Sequence, residues 1–121
     1  MKAFVRLLAV AGTAGAALGA SADDGAMARL ARDRGCTLCH HEEPAGPNAV
    51  IASAPSWREI AARYRAQPGA EERLAKVVVG GSDPDRRHWK NQAAFASMPA
   101  NGVETTPEEA RELVRWILSF R

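Results

Sequence analysis

The chain has 121 residues, of which 46% are hydrophobic, 25% charged and 6% aromatic; these values fit one small globular domain and leave no room for two. The formal charge of +2 comes from Lys2 and Arg6, because residues 23–121 carry 14 basic and 14 acidic side chains. No basic cluster stands out, so we expect no nucleic-acid partner. Two cysteines, Cys36 and Cys39, are too few for a disulfide-rich scaffold.

Residues 1–22 have the three parts of a secretory signal peptide. Lys2 and Arg6 supply the charged start, the apolar run extends from Phe4 to Ala11, and Ala20-Ser21-Ala22 forms a cleavage site before two aspartates. The alternative is an uncleaved anchor, but the apolar run is shorter than the roughly 20 residues that span a bilayer. We therefore predict cleavage after Ala22 and export of residues 23–121 to a bacterial periplasm, with no membrane attachment afterwards.

Four short helices are predicted in the exported part. The first runs over residues 23–34, with Asp23 and Asp24 at its start and Gly35 as its stop. After an irregular loop from His41 to Pro55, the second helix has Ser56 as its cap. Its apolar face consists of Trp57, Ile60, Ala61 and Tyr64, at helical spacing.

The third helix begins near Gly69 and ends at Gly80-Gly81. Val77-Val78-Val79 is the one candidate strand fragment, and the preceding helix formers favour a helix end. A long loop from Gly80 to Thr105 follows; loops of this length in small domains are usually functional or disordered, and its aromatic residues favour function. Thr106-Pro107-Glu108-Glu109 is a capping box that starts the last helix.

The segment Cys36-Thr37-Leu38-Cys39-His40 has the Cys-x-x-Cys-His pattern that attaches c-type haem. Two thiols on one turn reach the two porphyrin vinyl groups, and the next residue places an imidazole under the iron. The alternatives are a thioredoxin-like redox pair, half of a zinc site with His41 or His88, and a vicinal disulfide. The export signal and the adjacent histidine favour haem, held covalently by Cys36 and Cys39.

His40 is the expected proximal iron ligand, with a backbone carbonyl near Pro55 as acceptor for its second ring nitrogen. The sixth ligand should come from far along the chain, and Met98 in the long loop fits that requirement. His88 competes from the same loop. Met27 lies on a helix face too close to Cys36 and is expected to fill the core.

The exported part resembles the small bacterial class I cytochromes c over nearly its whole length. The matching segments occur in the family's order: Leu30 to Gly35, the Cys-x-x-Cys-His motif, Pro55-Ser56-Trp57 with Ile60 to Tyr64, Gly69 to Gly81, Ser97 to Asn101 and Glu112 to Leu118. The resemblance implies an all-α fold of about four short helices and long loops around one covalent haem c.

The resemblance also implies a role for individual residues. Pro55 would offer its carbonyl to His40, Met98 would be the distal ligand, Asn101 would orient it, and Trp89 would reach a haem propionate. Two departures stand out. The family usually has an aromatic residue where this chain has Ala31, and the stretch from Trp89 to Met98 is longer than usual.

The expected function is single-electron transfer by a periplasmic monohaem protein that is not an enzyme. Its partners would be redox proteins, such as a dehydrogenase or a terminal oxidase or reductase, and it would be a monomer or a subunit of a heterocomplex. Arg86, Arg87 and Lys90 form either a docking patch or a solvated face. Alternatives are a haem subunit of an exported dehydrogenase, such as a sulfite dehydrogenase, a gas-sensing haem protein, and a peroxidase.

Overall fold

A computed structural model describes residues 23–46, 54–86, 88–89 and 97–121. These residues form four α-helices: α1 (Asp24–Asp33), α2 (Trp57–Tyr64), α3 (Ala70–Gly80) and α4 (Pro107–Ser119). Short 3₁₀ turns occupy Cys36–Leu38 and Pro84–Arg86, and the described residues include no strand. The predicted all-α class and the four helices are confirmed. The predicted signal peptide lies outside the described residues.

The helix ends follow the local signals of the sequence. The side chain of Asp23 accepts from the backbone N–H of Gly25 before α1, and Gly35 follows α1 with a φ of 74°. Ser56 before α2 and Thr106 before α4 each form a capping box with the glutamate three residues later. Such caps satisfy backbone N–H groups that a helix leaves free at its start.

The core is organised around α4, which packs against each of the other three helices. One cluster joins α4 to α1 and α2 through Ala31, Trp57, Leu113 and Trp116. A second cluster, Ala75, Ala110 and Val114, joins α4 to α3. Met27 packs against the first cluster, which confirms its expected role as core filler.

Aromatic rings from α2 and the end of α4 fill the space beside Ala31. Ala31 is 1% exposed and packs in one cluster with Trp57 and Trp116, whose ring centroids are 4.8 Å apart. Phe120 meets Trp116 at 5.0 Å in an edge-to-face arrangement. The bulky side chain of Trp57 on α2 therefore fills the space that the small Ala31 on α1 leaves.

Candidate haem site

The Cys-x-x-Cys-His motif is anchored by the chain segments before and after it. After Gly35 the backbone turns into the 3₁₀ turn Cys36–Leu38, and the N–H of His40 donates to the carbonyl of Cys36 over 3.0 Å. Cys36 packs against the core cluster that contains Trp57. The motif is thus built on the rigid end of α1.

The residues that follow the motif are tied to the start of α2. The backbone N–H groups of Trp57 and Arg58 donate to the carbonyls of His41 and Glu42, over 2.9 and 3.3 Å. The Arg58 guanidinium also bonds the carboxylates of Glu42 and Glu43, over 2.9 and 2.6 Å. His41 itself is exposed, as expected of a solvated loop residue. These contacts fix the chain on the C-terminal side of His40.

The His40 imidazole is fixed in one orientation by Pro55. Its Nδ1 lies 2.7 Å from the Pro55 carbonyl oxygen. Because a carbonyl can only accept, Nδ1 carries the proton and Nε2 keeps its lone pair. Burial lowers the pKa of His40, against the raising effect of the Pro55 hydrogen bond, and nearby His41 lowers it further. The result is a neutral imidazole with one free ring nitrogen, the form that binds metals.

A cavity of about 450 Å³ lies beside His40, within the range of roughly 300–1,000 Å³ that cofactor sites occupy. Met98 lines the same cavity, and so does Cys39 at the end of the 3₁₀ turn. Ile60, Leu74 and Val77 contribute apolar wall from α2 and α3. The cavity therefore combines an imidazole, a thioether and a thiol with an apolar wall. These are the groups that hold a c-type haem.

The alternatives to haem find less support in the geometry. Both cysteines are free thiols, and burial raises the pKa of Cys36, whereas reactive redox thiols have a lowered one. Within the described ranges, no group of three His, Cys, Asp or Glu side chains could hold a metal ion such as zinc. The residues fit haem better than a disulfide, a thiol redox pair or a zinc site.

The backbone of Met98 is held by Ser82, which follows the glycine pair at the end of α3. The Ser82 hydroxyl accepts from the backbone N–H of Met98 over 2.7 Å, and the Ser82 N–H donates to the Met98 carbonyl over 2.9 Å. Gly81 has a φ of 80°, and a Cβ there would lie 3.0 Å from the carbonyl oxygen of Met98. Met98 and the glycine pair stand out in the sequence, whereas no sequence signal points to the role of Ser82.

The two other loop candidates, His88 and Trp89, also line the cavity. Nδ1 of His88 is 2.5 Å from the hydroxyl oxygen of Tyr64, and the Trp89 ring lies 4.9 Å from the Arg63 guanidinium carbon. Burial raises the pKa of Tyr64, which keeps the phenol protonated, while nearby Arg63 acts in the opposite direction. The end of α2 therefore fixes residues 88 and 89 of the long loop, a contact that no local signal predicted.

Asn101 is not among the residues that line the cavity. Its side-chain N–H groups donate to the carbonyl of Arg34 over 3.0 Å and to the hydroxyl of Thr105 over 2.8 Å. It therefore links the end of α1 to the residue just before the cap of α4. A contact of Asn101 with Met98 stays a prediction.

The predicted basic patch is described only in part. Arg86 is exposed and lies 3.7 Å from the carboxylate of Asp83. Arg87 and Lys90 lie outside the described residues. The patch therefore stays a prediction.

The sequence model described as cytochrome c matches residues 25–121, which is most of the chain. The chain belongs to the cytochrome c family. It is similar to cytochrome c2 of Rhodocyclus tenuis, with 42% identity over 94 residues that cover 76% of this chain and 89% of that protein. It is also 30% identical to cytochrome c-552 of Hydrogenobacter thermophilus over 122 residues, covering 100% of both chains.

The fold agrees with solved members of this cytochrome family. The crystal structure of wild-type Nitrosomonas europaea cytochrome c552 matches with a TM-score of 0.61 and 30% identity, covering 78% of this chain and 99% of that one. This match confirms the class I cytochrome c fold. As a member of the family, the cytochrome carries covalently attached haem c and passes single electrons to and from redox partners. None of its described helices is long and apolar enough to cross a membrane.

Proposed function

We propose that this cytochrome is a periplasmic electron carrier in which Cys36 and Cys39 hold the haem covalently and His40 and Met98 are its axial ligands. The observation that carries the proposal is that His40 and Met98 line one cavity, with the proton of His40 fixed on Nδ1 by Pro55. When bound, the haem supplies an iron that cycles between the ferric and ferrous states.

The chain's own part in this chemistry is to hold both ligands still. Pro55 fixes one imidazole orientation over a distance of 2.7 Å, and the two hydrogen bonds with Ser82 fix the backbone of Met98. Ligands that stay in place keep the structural change between oxidation states small and keep substrates off the iron. Both properties favour electron transfer over catalysis.

Met98 is favoured over His88 as the sixth ligand by the contacts of the two side chains. One ring nitrogen of His88 is already engaged by Tyr64, while the backbone of Met98 is fixed at both of its polar groups. A thioether also prefers ferrous iron, so the His40–Met98 pair raises the reduction potential above that of a His40–His88 pair.

Partner proteins are expected to approach at the turn that holds the two cysteines. Leu38 lies between them and is 84% exposed, so this turn presents an apolar side chain to solvent. Electron-transfer partners make small, short-lived interfaces, and an exposed apolar side chain at the haem edge suits such a contact.

We further propose that residues 1–22 are an export signal removed after Ala22, and that residues 23–121 form the haem domain in the periplasm. Mass spectrometry of the periplasmic protein tests this directly. The expected mass corresponds to residues 23–121 plus one haem; a retained leader would contradict the processing.

The ligand assignment is tested with two matched methionine variants. Ferric haem with a bound methionine sulfur shows a weak far-red absorption band. Met98→Leu is expected to abolish the band and Met27→Leu to preserve it, since Met27 packs in the core. A band that survives Met98→Leu, or that disappears only in His88→Ala, would contradict the assignment.

A further inference from the structure

Ser82 is the residue through which α3 holds Met98. Its hydroxyl accepts from the N–H of Met98 and its own N–H donates to the carbonyl of the same residue, over 2.7 and 2.9 Å. One residue thus satisfies both backbone polar groups of another that is 16 positions away. Ser82 and Met98 both line the haem cavity and both are half-buried.

The end of α3 continues this attachment. A helix leaves its last carbonyls without partners, and those of Val78 and Val79 accept from the N–H groups of Asn101 and Gly102, each over 3.0 Å. The segment that follows Met98 therefore completes the hydrogen bonding of α3. The helix and the methionine segment form one hydrogen-bonded unit.

A methionine side chain has three rotatable bonds and adapts its shape to its surroundings. Its sulfur therefore stays at one place only if the backbone that carries it does so too. Ser82 is the only side chain in the described residues that hydrogen-bonds the backbone of Met98. Replacing Ser82 by alanine would leave the Met98 N–H without its acceptor.

We propose that Ser82 is a positioning residue for Met98: its hydroxyl sets the methionine backbone so that the sulfur stays on the iron and excludes external ligands. The inference rests on the proposed ligation by Met98. It predicts that loss of the hydroxyl increases the fraction of molecules in which the sulfur has left the iron. Those molecules can bind an added ligand.

The test is the equilibrium binding of imidazole to the ferric protein. Ser82→Ala is expected to raise the affinity about threefold to tenfold, the range that the loss of one hydrogen bond gives. Ser82→Thr keeps the hydroxyl and should leave the affinity unchanged. Ser119→Ala is the matched control, since Ser119 also loses one bond to a backbone group, the carbonyl of Trp116 at 2.6 Å, at the end of α4.

Hydrogen exchange at the Met98 amide is a second readout, independent of ligand binding. This amide should be protected in the wild type and in Ser82→Thr, and should exchange faster in Ser82→Ala. An imidazole affinity in Ser82→Ala that equals the wild type, or a rise of the same size in Ser119→Ala, would overturn the role of Ser82.

The far-red band separates failure of this inference from failure of the proposed function. A wild-type ferric protein without the band would overturn ligation by Met98 and the positioning role with it. A wild-type band together with unchanged imidazole binding and unchanged amide exchange in Ser82→Ala would overturn the positioning role alone.

Discussion

The indole rings of Trp57 and Trp116 meet edge to face, with centroids 4.8 Å apart and Ala31 packed in the same cluster. Both tryptophans are buried. This pair connects α2, which carries the cap beside Pro55, to α4, which packs on every other helix. The contact therefore supports the wall of the cavity on the His40 side.

Removing the Trp57 ring is expected to be strongly destabilising. Trp57→Ala leaves a cavity between α1, α2 and α4, and such truncations cost about 3–5 kcal/mol. Trp57→Phe keeps an aromatic ring against Trp116 and should cost less. Urea unfolding followed by far-ultraviolet circular dichroism measures both, and equal losses for the two variants would contradict the packing role of the indole.

A double-mutant cycle tests whether Trp57 occupies the space that an aromatic residue on α1 would fill. Ala31 is 1% exposed, so Ala31→Phe alone overpacks the core and should cost about 1–3 kcal/mol. In the Trp57→Ala background the same substitution fills the cavity. We expect a favourable coupling of about 0.5–3 kcal/mol in the free energy of unfolding. Strictly additive effects of the two substitutions would contradict the idea that Trp57 fills the space of an aromatic residue on α1.

The ion pair between Arg34 and Glu109 should make stability depend on pH. The guanidinium donates twice to the carboxylate, over 3.1 and 2.6 Å. This bond, together with the Thr106 backbone N–H, lowers the pKa of Glu109 from its ordinary 4.5, against a smaller effect of burial. Because the pKa is depressed in the folded state, the stabilisation is present above pH 4.5 and is lost as the pH falls through the folded-state pKa.

Glu109→Gln isolates this effect, because glutamine can still accept from the Thr106 N–H in the capping box. The variant should unfold at a lower urea concentration than the wild type at pH 7, and the gap should close toward pH 3. Glu108→Gln removes a neighbouring exposed charge and serves as the control. A gap that stays constant with pH, or that Glu108→Gln reproduces, would argue against the ion pair.

The hydrogen bond from Tyr64 to His88 should hold the long loop on α2. Tyr64→Phe deletes the hydroxyl that lies 2.5 Å from His88 Nδ1, with an expected cost of about 1 kcal/mol in the free energy of unfolding. In a His88→Ala background Tyr64→Phe should cost close to nothing. Equal costs in the two backgrounds would show that the bond is not formed in solution.

Local signals in the sequence predicted the helices and pointed to the Cys-x-x-Cys-His part of the candidate haem site. The caps at Ser56 and Thr106 use residues only three positions apart, and the pentapeptide from Cys36 to His40 carries its chemistry within one turn. The partners of these elements lie within a few residues of each other. For that reason composition and spacing were enough.

Contacts between distant segments could not be predicted in the same way. Tyr64 and His88 are 24 positions apart, Ser82 and Met98 are 16 apart, and each pair depends on how α2 or α3 packs in three dimensions. Gly80-Gly81 marked a helix end in the sequence. That the next residue holds Met98 depends on a close backbone approach, which no periodic pattern encodes.

The central claim is that His40 and Met98 close both faces of the iron, and carbon monoxide tests it most directly. The absorption spectrum of the reduced protein is recorded before and after exposure to the gas. The proposed ligation by Met98 predicts no change, because a bound methionine sulfur would occupy the sixth position. A shift to the spectrum of a carbon monoxide complex would contradict the claim and would make ligand binding the better account of this cytochrome.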